Sequence, residues 1–266
     1  MVSTLNPLRV AAIVGACILA GCSSESSPSS SSQESIPIAD ATTTTAGPAA
    51  PSAPADTAAP ISPADATAEA RVQAALATLP ADWAGTIASD LGDEGDSGGD
   101  IVFAACLAPG DYNLDNLDAD SAASWELDAE GPPTGSPVGG QQATLEARVF
   151  ADGVDVDGAY AVLEKVLGTD EGRACLAREV PGQLAAEAPE GTEFDARVEG
   201  TTIAGADVGA RLVVGFVSGE VTGEFFVDLV AARPDEQGTI FATFVSFGVP
   251  VDQAVASAML VAAIAA

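Results

Sequence analysis

The chain predicts an α+β fold: a single domain with a mainly antiparallel β-sheet covered by helices, closed by one disulfide. Three observations carry that prediction. Four segments with strand character follow one another late in the chain, at Phe194–Ile203, Arg211–Ser218, Glu224–Ala232 and Thr239–Phe247. The last two are joined by Pro234-Asp235-Glu236-Gln237-Gly238, a turn-rich hairpin loop, and hairpin connections favour antiparallel pairing. Helical periodicity is confined to the beginning, middle and end of residues 61–266, so the helices are expected to cover one face of the sheet.

The elements follow in order. Ser62-Pro63-Ala64-Asp65 is a helix start, with a capping serine, proline at the first helical position and an acid three residues after the cap. Val72, Ala75, Leu76 and Leu79 share one face of that helix, and Pro80 is expected to stop it. An acidic, Gly-rich loop spans Asp90 to Asp100, and the apolar run Ile101–Leu107 reads as a buried strand carrying Cys106. Ala122–Leu127, around Trp125, is a second strand, and Gly131–Gly140 is a Pro/Gly loop. Leu145, Ala147 and Val149 alternate with Glu146 and Arg148, the mark of a half-buried strand. Asp157 is the expected cap of a helix striped by Tyr160, Leu163, Val166 and Leu167, which ends at Gly168. Thr169, with Asp170 and Glu171 behind it, starts a short helix bearing Cys175. After the four late strands, Pro250 opens a final helix with Val251, Val255, Met259 and Ala262 facing inward.

The amino end has a different character. One positive charge, Arg9, precedes the apolar stretch Val10–Gly21, which is too short for the roughly 20 residues a membrane span needs. It closes on Leu19-Ala20-Gly21-Cys22, a lipobox followed by a Ser-rich tract. The arrangement resembles the signal peptide of bacterial lipoproteins. It implies removal of residues 1–21 and acylation of Cys22, with palmitate among the expected lipids, leaving the protein on the extracytoplasmic face of the cell membrane. Residues 22–60 then form a tether of Ser, Thr, Ala and Pro with almost no large apolar side chain. Such a segment buries too little surface to offset its ordering entropy.

Charge bounds the partners. Removing residues 1–21 takes away Arg9 and no acid, so 39 acidic residues stand against 8 basic ones. Nucleic-acid binding by phosphate neutralisation needs clustered Lys and Arg, and is excluded. Adhesion to anionic lipid through a basic patch is disfavoured for the same reason. The expected membrane contact is the lipid on Cys22. A single lysine, Lys165, in an Ala-, Gly-, Val- and Asp-rich chain fits a high-GC genome.

Cysteine usage points the same way. Cys17 leaves with the signal and Cys22 takes the lipid, so Cys106 and Cys175 remain in an oxidising compartment as one expected disulfide. Two separate buried thiols are the alternative. No metal site is expected from two cysteines in a chain with no histidine.

The order of elements resembles a known group. A leading helix ends in Leu79-Pro80-Ala81-Asp82-Trp83, and a segment with Cys106 and then Ala122-Ala123-Ser124-Trp125 follow. After these come a strand–helix unit with Cys175, a late hairpin and a terminal helix. This pattern is similar to the exported sensor-like domains of actinobacteria. They include lipoproteins of unknown function and the extracellular sensor domain of mycobacterial serine/threonine protein kinase H. The resemblance covers Pro63–Ala266 and implies binding of small ligands or envelope components in a cleft. It departs in its cysteines: the kinase domain has two disulfides, and this chain can form one within the domain.

Catalytic chemistry is narrowed by what is missing. Absence of histidine removes the commonest general base and all Ser-His-Asp and Cys-His arrangements. Lys165 has no Ser three residues before it, and neither a phosphate-cradling loop nor a dinucleotide fingerprint is present, so no cofactor is expected. Carboxylate chemistry alone survives, and the protein is not expected to be an enzyme. Two acidic loops invite calcium: Asp90, Asp93, Glu94, Asp96 and Asp100 in one, Asp152, Asp155 and Asp157 in the other. Neither fits the EF-hand register, and a solvated loop and a helix cap explain them equally well. Trp83, Tyr112, Trp125 and Tyr160 are the best candidates to line a ligand groove, since each combines apolar area with a polar handle. Phe225, Phe226, Phe241, Phe244 and Phe247 lie on consecutive strands; one set should sit under helices and the other could form an apolar trough.

These readings predict a lipid-anchored, non-enzymatic binding or sensor-like domain. The alternatives are an envelope acyl-chain carrier and a structural or adhesive wall lipoprotein. Replacing Cys22 by Ala is expected to abolish palmitate labelling and release the protein from membranes. Unchanged fractionation of that variant would remove the anchor.

Overall fold

The computed structural model describes residues 62–89, 105–108, 111, 116, 120–136 and 139–266. Helix α1 is Pro63–Leu76. Ser62 caps it as the sequence predicts: its Oγ accepts from the Asp65 backbone N–H at 3.0 Å and donates to the Asp65 carboxylate at 2.7 Å. The helix ends at Leu76, before Pro80, because Ala77, Thr78 and Leu79 close it with backbone bonds to Gln73, Ala75 and Leu76.

Strand β1, Ala84–Ser89, has no counterpart in the sequence reading. Ile87 is its one large apolar residue, so it lacks the alternation that would announce a strand. As an edge strand it needs only one partner, β2 (Ser121–Glu130), with Ile87 opposite Leu127. Strand β3 is Gln141–Phe150.

Helix α2 is Val156–Gly168, and its cap is Asp155, whose Oδ1 accepts from Gly158 N at 2.9 Å. Asp157, the expected cap, lies in the first turn instead and pairs with Arg233. Helix α3, Asp170–Glu187, is capped by Thr169 as expected but is long rather than short. Pro181 does not stop it. Leu176, Val180 and Leu184, spaced by one turn, are buried against the sheet, and that packing outweighs the lost backbone bond.

Strands β4 (Thr192–Gly200), β5 (Val208–Ser218), β6 (Val221–Ala232) and β7 (Gly238–Phe247) match the four predicted late strands within a few residues. Ile203, expected in β4, leaves the sheet and is buried in a different cluster. The β5–β6 hairpin turns through Gly219 at φ +60°, a left-handed conformation that favours glycine. Helix α4 is Gln253–Ala265, capped by Asp252, so Pro250 and Val251 precede it. Its buried face is Ala256, Met259, Leu260 and Ala263, rotated from the expected one. A helix apolar on nearly every side does not show by periodicity which side is inside.

The seven strands form one antiparallel sheet in the order β1-β2-β3-β7-β6-β5-β4. Two meanders, β1-β2-β3 and β4-β5-β6-β7, meet where β3 pairs with β7, and α2–α3 carries the chain from the centre to the far edge. Side-chain alternation then gives each face its own core. Leu127, Leu145, Val230, Ala242 and Phe244 join α1 and α4, whereas Leu212, Val214, Phe225, Val227 and Phe247 join α2 and α3. Val227 and Val230, or Phe244 and Phe247, differ by an odd number along one strand and so point to opposite faces. The helices therefore cover both faces, one pair over each half, not one face as expected. The terminal helices share one face and the middle helices the other, and nothing in their periodicity records that.

Cys106 and Cys175 are bridged, with Cα atoms 5.7 Å apart. Ala105 and Cys106 lie in a helical turn, not in the expected strand; Ile101–Ala104 fall outside the described residues. An apolar run of seven cannot by itself separate strand from helix. The bridge joins residues 69 apart, one between β1 and β2 and one on α3, and Lys165 of α2 pairs with Asp111 nearby in sequence. Replacing Cys106 and Cys175 by Ser is expected to cost about 4 kcal/mol on loop-closure arithmetic. Guanidinium unfolding with and without reductant measures it, and coincident midpoints would contradict the bridge.

Candidate functional site

A cleft of about 870 Å³ opens at one end of the sheet. Three pieces of chain form it: the first turn of α1 (Ser62, Pro63, Ala64, Thr67), the start of β2 with the end of β3, and the β6–β7 hairpin. Its apolar lining comes from Ala64, Ala122 and Val149, with Phe150 contributing backbone because its ring packs against Val156 and Ala159 of α2; its polar lining includes Asp152, Asp235, Glu236 and Gln237. The size and the mixture of apolar wall and few polar groups suit a small ligand.

Polar contacts fix the walls. Phe150 N donates to Gln237 O at 2.8 Å, and Gln237 Nε2 donates to Asp152 Oδ1 at 2.8 Å. Arg71 of α1, only 4% exposed, pairs with Asp235 from one side of the hairpin. Arg233 at the hairpin root pairs with Asp157 of α2, and its backbone N–H donates to Asp207 at 2.9 Å. Partial burial pushes the Asp235 carboxyl up, but bonds from Gln237 N–H, Arg71 and Gly238 N–H outweigh it. The net result is a carboxyl below its ordinary range. Arg71 Nε and Nη1 have no hydrogen-bond partner, so among the described residues Asp235 alone neutralises this deeply buried cation.

The four predicted groove residues are not brought together. Trp83 packs at the other end of β2–β3, its ring lying where a side chain on Gly131 would be, 2.6 Å from that atom. Trp125 is the nearest to the cleft: it packs with Ala64, Ala68, Ala123 and Val149, two of which line it, and its Nε1 is buried without a partner. Tyr160 belongs to the α2–α3 layer, where its hydroxyl donates to Asp207 Oδ2 at 3.2 Å. Burial first, then the Asp207 charge, pushes this phenol upward, so it stays a donor. Tyr112 lies outside the described residues, as does the Asp90–Asp100 loop. The other acidic loop is divided among structural tasks: Asp152 holds Gln237, Asp155 caps α2 and Asp157 pairs with Arg233. Among the described residues no group of three or more metal-ligating side chains converges.

The phenylalanines are likewise split. Phe225 and Phe247, with ring centroids 5.6 Å apart, sit under α2–α3, and Phe244 sits under α1–α4. A second polar group, Ser124 with Glu146 and Arg148, is buried on the β2–β3 face away from α1. The sequence reading missed the cleft. Its signals were Arg71 inside an otherwise apolar helical face and the three acids after β3 and in the hairpin. Only pairing of β3 with β7 puts those acids side by side.

Comparison with protein-family models, curated proteins and solved structures gives no match to this chain.

Replacing Asp235 by Asn is expected to destabilise the fold by about 1–2 kcal/mol at neutral pH, less than for a fully buried pair because Asp235 is half in solvent. A depressed carboxyl contributes stability above its unfolded value near 3.8 and loses it as pH falls through the native one. The gap between wild type and variant should therefore close below about pH 4. A gap independent of pH would show that the ion pair contributes nothing.

Proposed function

We propose that this chain is a lipid-anchored binding protein on the extracytoplasmic face of the cell membrane of a high-GC Gram-positive bacterium. Its domain takes a small envelope ligand in the cleft beneath the first turn of α1. The observation that carries the reading is the cleft itself: ligand-sized, part apolar and part polar in its lining, and framed by ion pairs from both sides of one hairpin. The lipobox at Cys22 and the tether to residue 60 support the location, and the Cys106–Cys175 bridge suits an oxidising compartment. The order of elements shared with actinobacterial sensor-like domains favours the same class.

Binding is favoured over catalysis by the rim chemistry. Glycoside hydrolysis by two acids needs one carboxyl raised so that it can donate a proton. Asp235, held ionised by Arg71 and by the Gln237 and Gly238 N–H groups, does not serve as that donor. The carrier reading rested on an apolar trough of phenylalanines, but Phe225, Phe241 and Phe247 pack in one helix-covered core, Phe244 in the other and Phe226 in neither. Among the described residues no helix is long and apolar enough to cross a membrane.

Native mass spectrometry of the full chain, released from its host membranes in mild detergent, tests the proposal. The expected result is a small polar adduct on the wild type that is lost when Ala122→Trp fills the cleft. An acyl-chain adduct would establish the carrier instead, and an adduct-free mass for both proteins would leave a structural role.

A further inference from the structure

From the charge pairing across the domain, we infer that the cleft selects a ligand bearing a positive charge next to an apolar group. The inference rests on the cleft being the binding site, and adds the ligand's chemistry.

Eight basic residues follow Arg9, all within the described part of the chain, and each is already bonded to an acid. Arg71 pairs with Asp235, Arg148 with Glu146, Lys165 with Asp111 and Arg173 with Asp170. Arg178 pairs with Glu179, Arg197 with Glu224, Arg211 with Asp228 and Arg233 with Asp157. A phosphate or carboxylate ligand is ordinarily held by Arg or Lys. No Arg or Lys lines the cleft, and the two cations bonded to its hairpin, Arg71 and Arg233, are turned to Asp235 and Asp157.

Of the three acids at the rim, Asp235 is neutralised by Arg71. Asp152 is bonded to the neutral Gln237 amide, and Glu236 on the exposed hairpin forms none of the eight ion pairs. Arg233 also donates to the Glu236 backbone carbonyl, but its charge is matched by Asp157, so Asp152 and Glu236 leave the rim net negative. Beside them lie Ala64, Ala122 and Val149, which offer apolar contact and no charge. A cationic head at the rim with a short apolar body against these side chains satisfies both at once.

The experiment uses the mature chain carrying Cys22→Ala, which keeps the tether and domain, with amide chemical shifts as readout. Three probes share one chain length: hexylammonium, hexanol and hexanoate. Hexylammonium is expected to shift the amides of Ala64, Ala122 and Ala151 and to bind about three- to tenfold more tightly than hexanol, the gain from two exposed charge contacts. Hexanoate should be weakest. Salt near 0.5 M should erase the hexylammonium advantage through screening, as should Asp152→Asn with Glu236→Gln. Asp235 is left intact because it holds Arg71, and Asp82→Asn, remote from the cleft, should change nothing. Equal affinities for hexylammonium and hexanol would overturn the cation preference and leave the cleft standing. Absence of any shift at the cleft with all three probes would overturn the site itself.

Discussion

The pairing of β3 with β7 is the constraint on which the rest of the domain depends. It joins two meanders into one sheet, with Leu145 opposite Ala242 and Ala143 opposite Phe244. Strand β7 is thereby buried on both sides, sending Ile240, Ala242 and Phe244 into one core and Val245 and Phe247 into the other. A strand shared by two cores leaves little freedom of register. A slip of one residue would send each set to the wrong helix pair. The almost unbroken apolar character of β7 follows from this position.

The same pairing creates the cleft. It brings the end of β3, with Asp152 just beyond it, next to the β6–β7 hairpin, and α1 crosses above them. The hairpin would otherwise be an exposed turn. Arg71 from the α1 side and Arg233 to the α2 side clamp it between the two helix layers. In a chain so short of cations, using two of eight on one turn concentrates order there. Burying Arg71 is costly, and Asp235 makes it tolerable by staying ionised, held down by backbone N–H donors as well as by the guanidinium.

Much of the fold could be read from local signals. The caps at Ser62 and Thr169, the four late strands and the hairpin after Ala232 depend on near neighbours and on period-2 patterning, and the structure agrees with them. The misses share a cause. Strand β1 is too poor in apolar residues to show alternation, α3 runs through Pro181 because burial outweighs propensity, and Cys106 sits where an apolar run fits either element. The aromatic groove failed for another reason. Scarce aromatics fill whichever core lies nearest, so rarity in composition says nothing about which of them share a surface.

What the sequence alone determined is local and compositional: an α+β domain after a segment rich in Ser, Thr, Ala and Pro, strongly acidic, without histidine, and with two cysteines available to pair. Such properties need no knowledge of distant neighbours. The tertiary structure alone decided which face each helix covers, which acids meet, and that all eight cations following Arg9 are spoken for. Those depend on contacts between residues as far apart as Arg71 and Asp235. Hydrophobic period specifies that a face is buried, not which partner buries it; strand order supplies the partner.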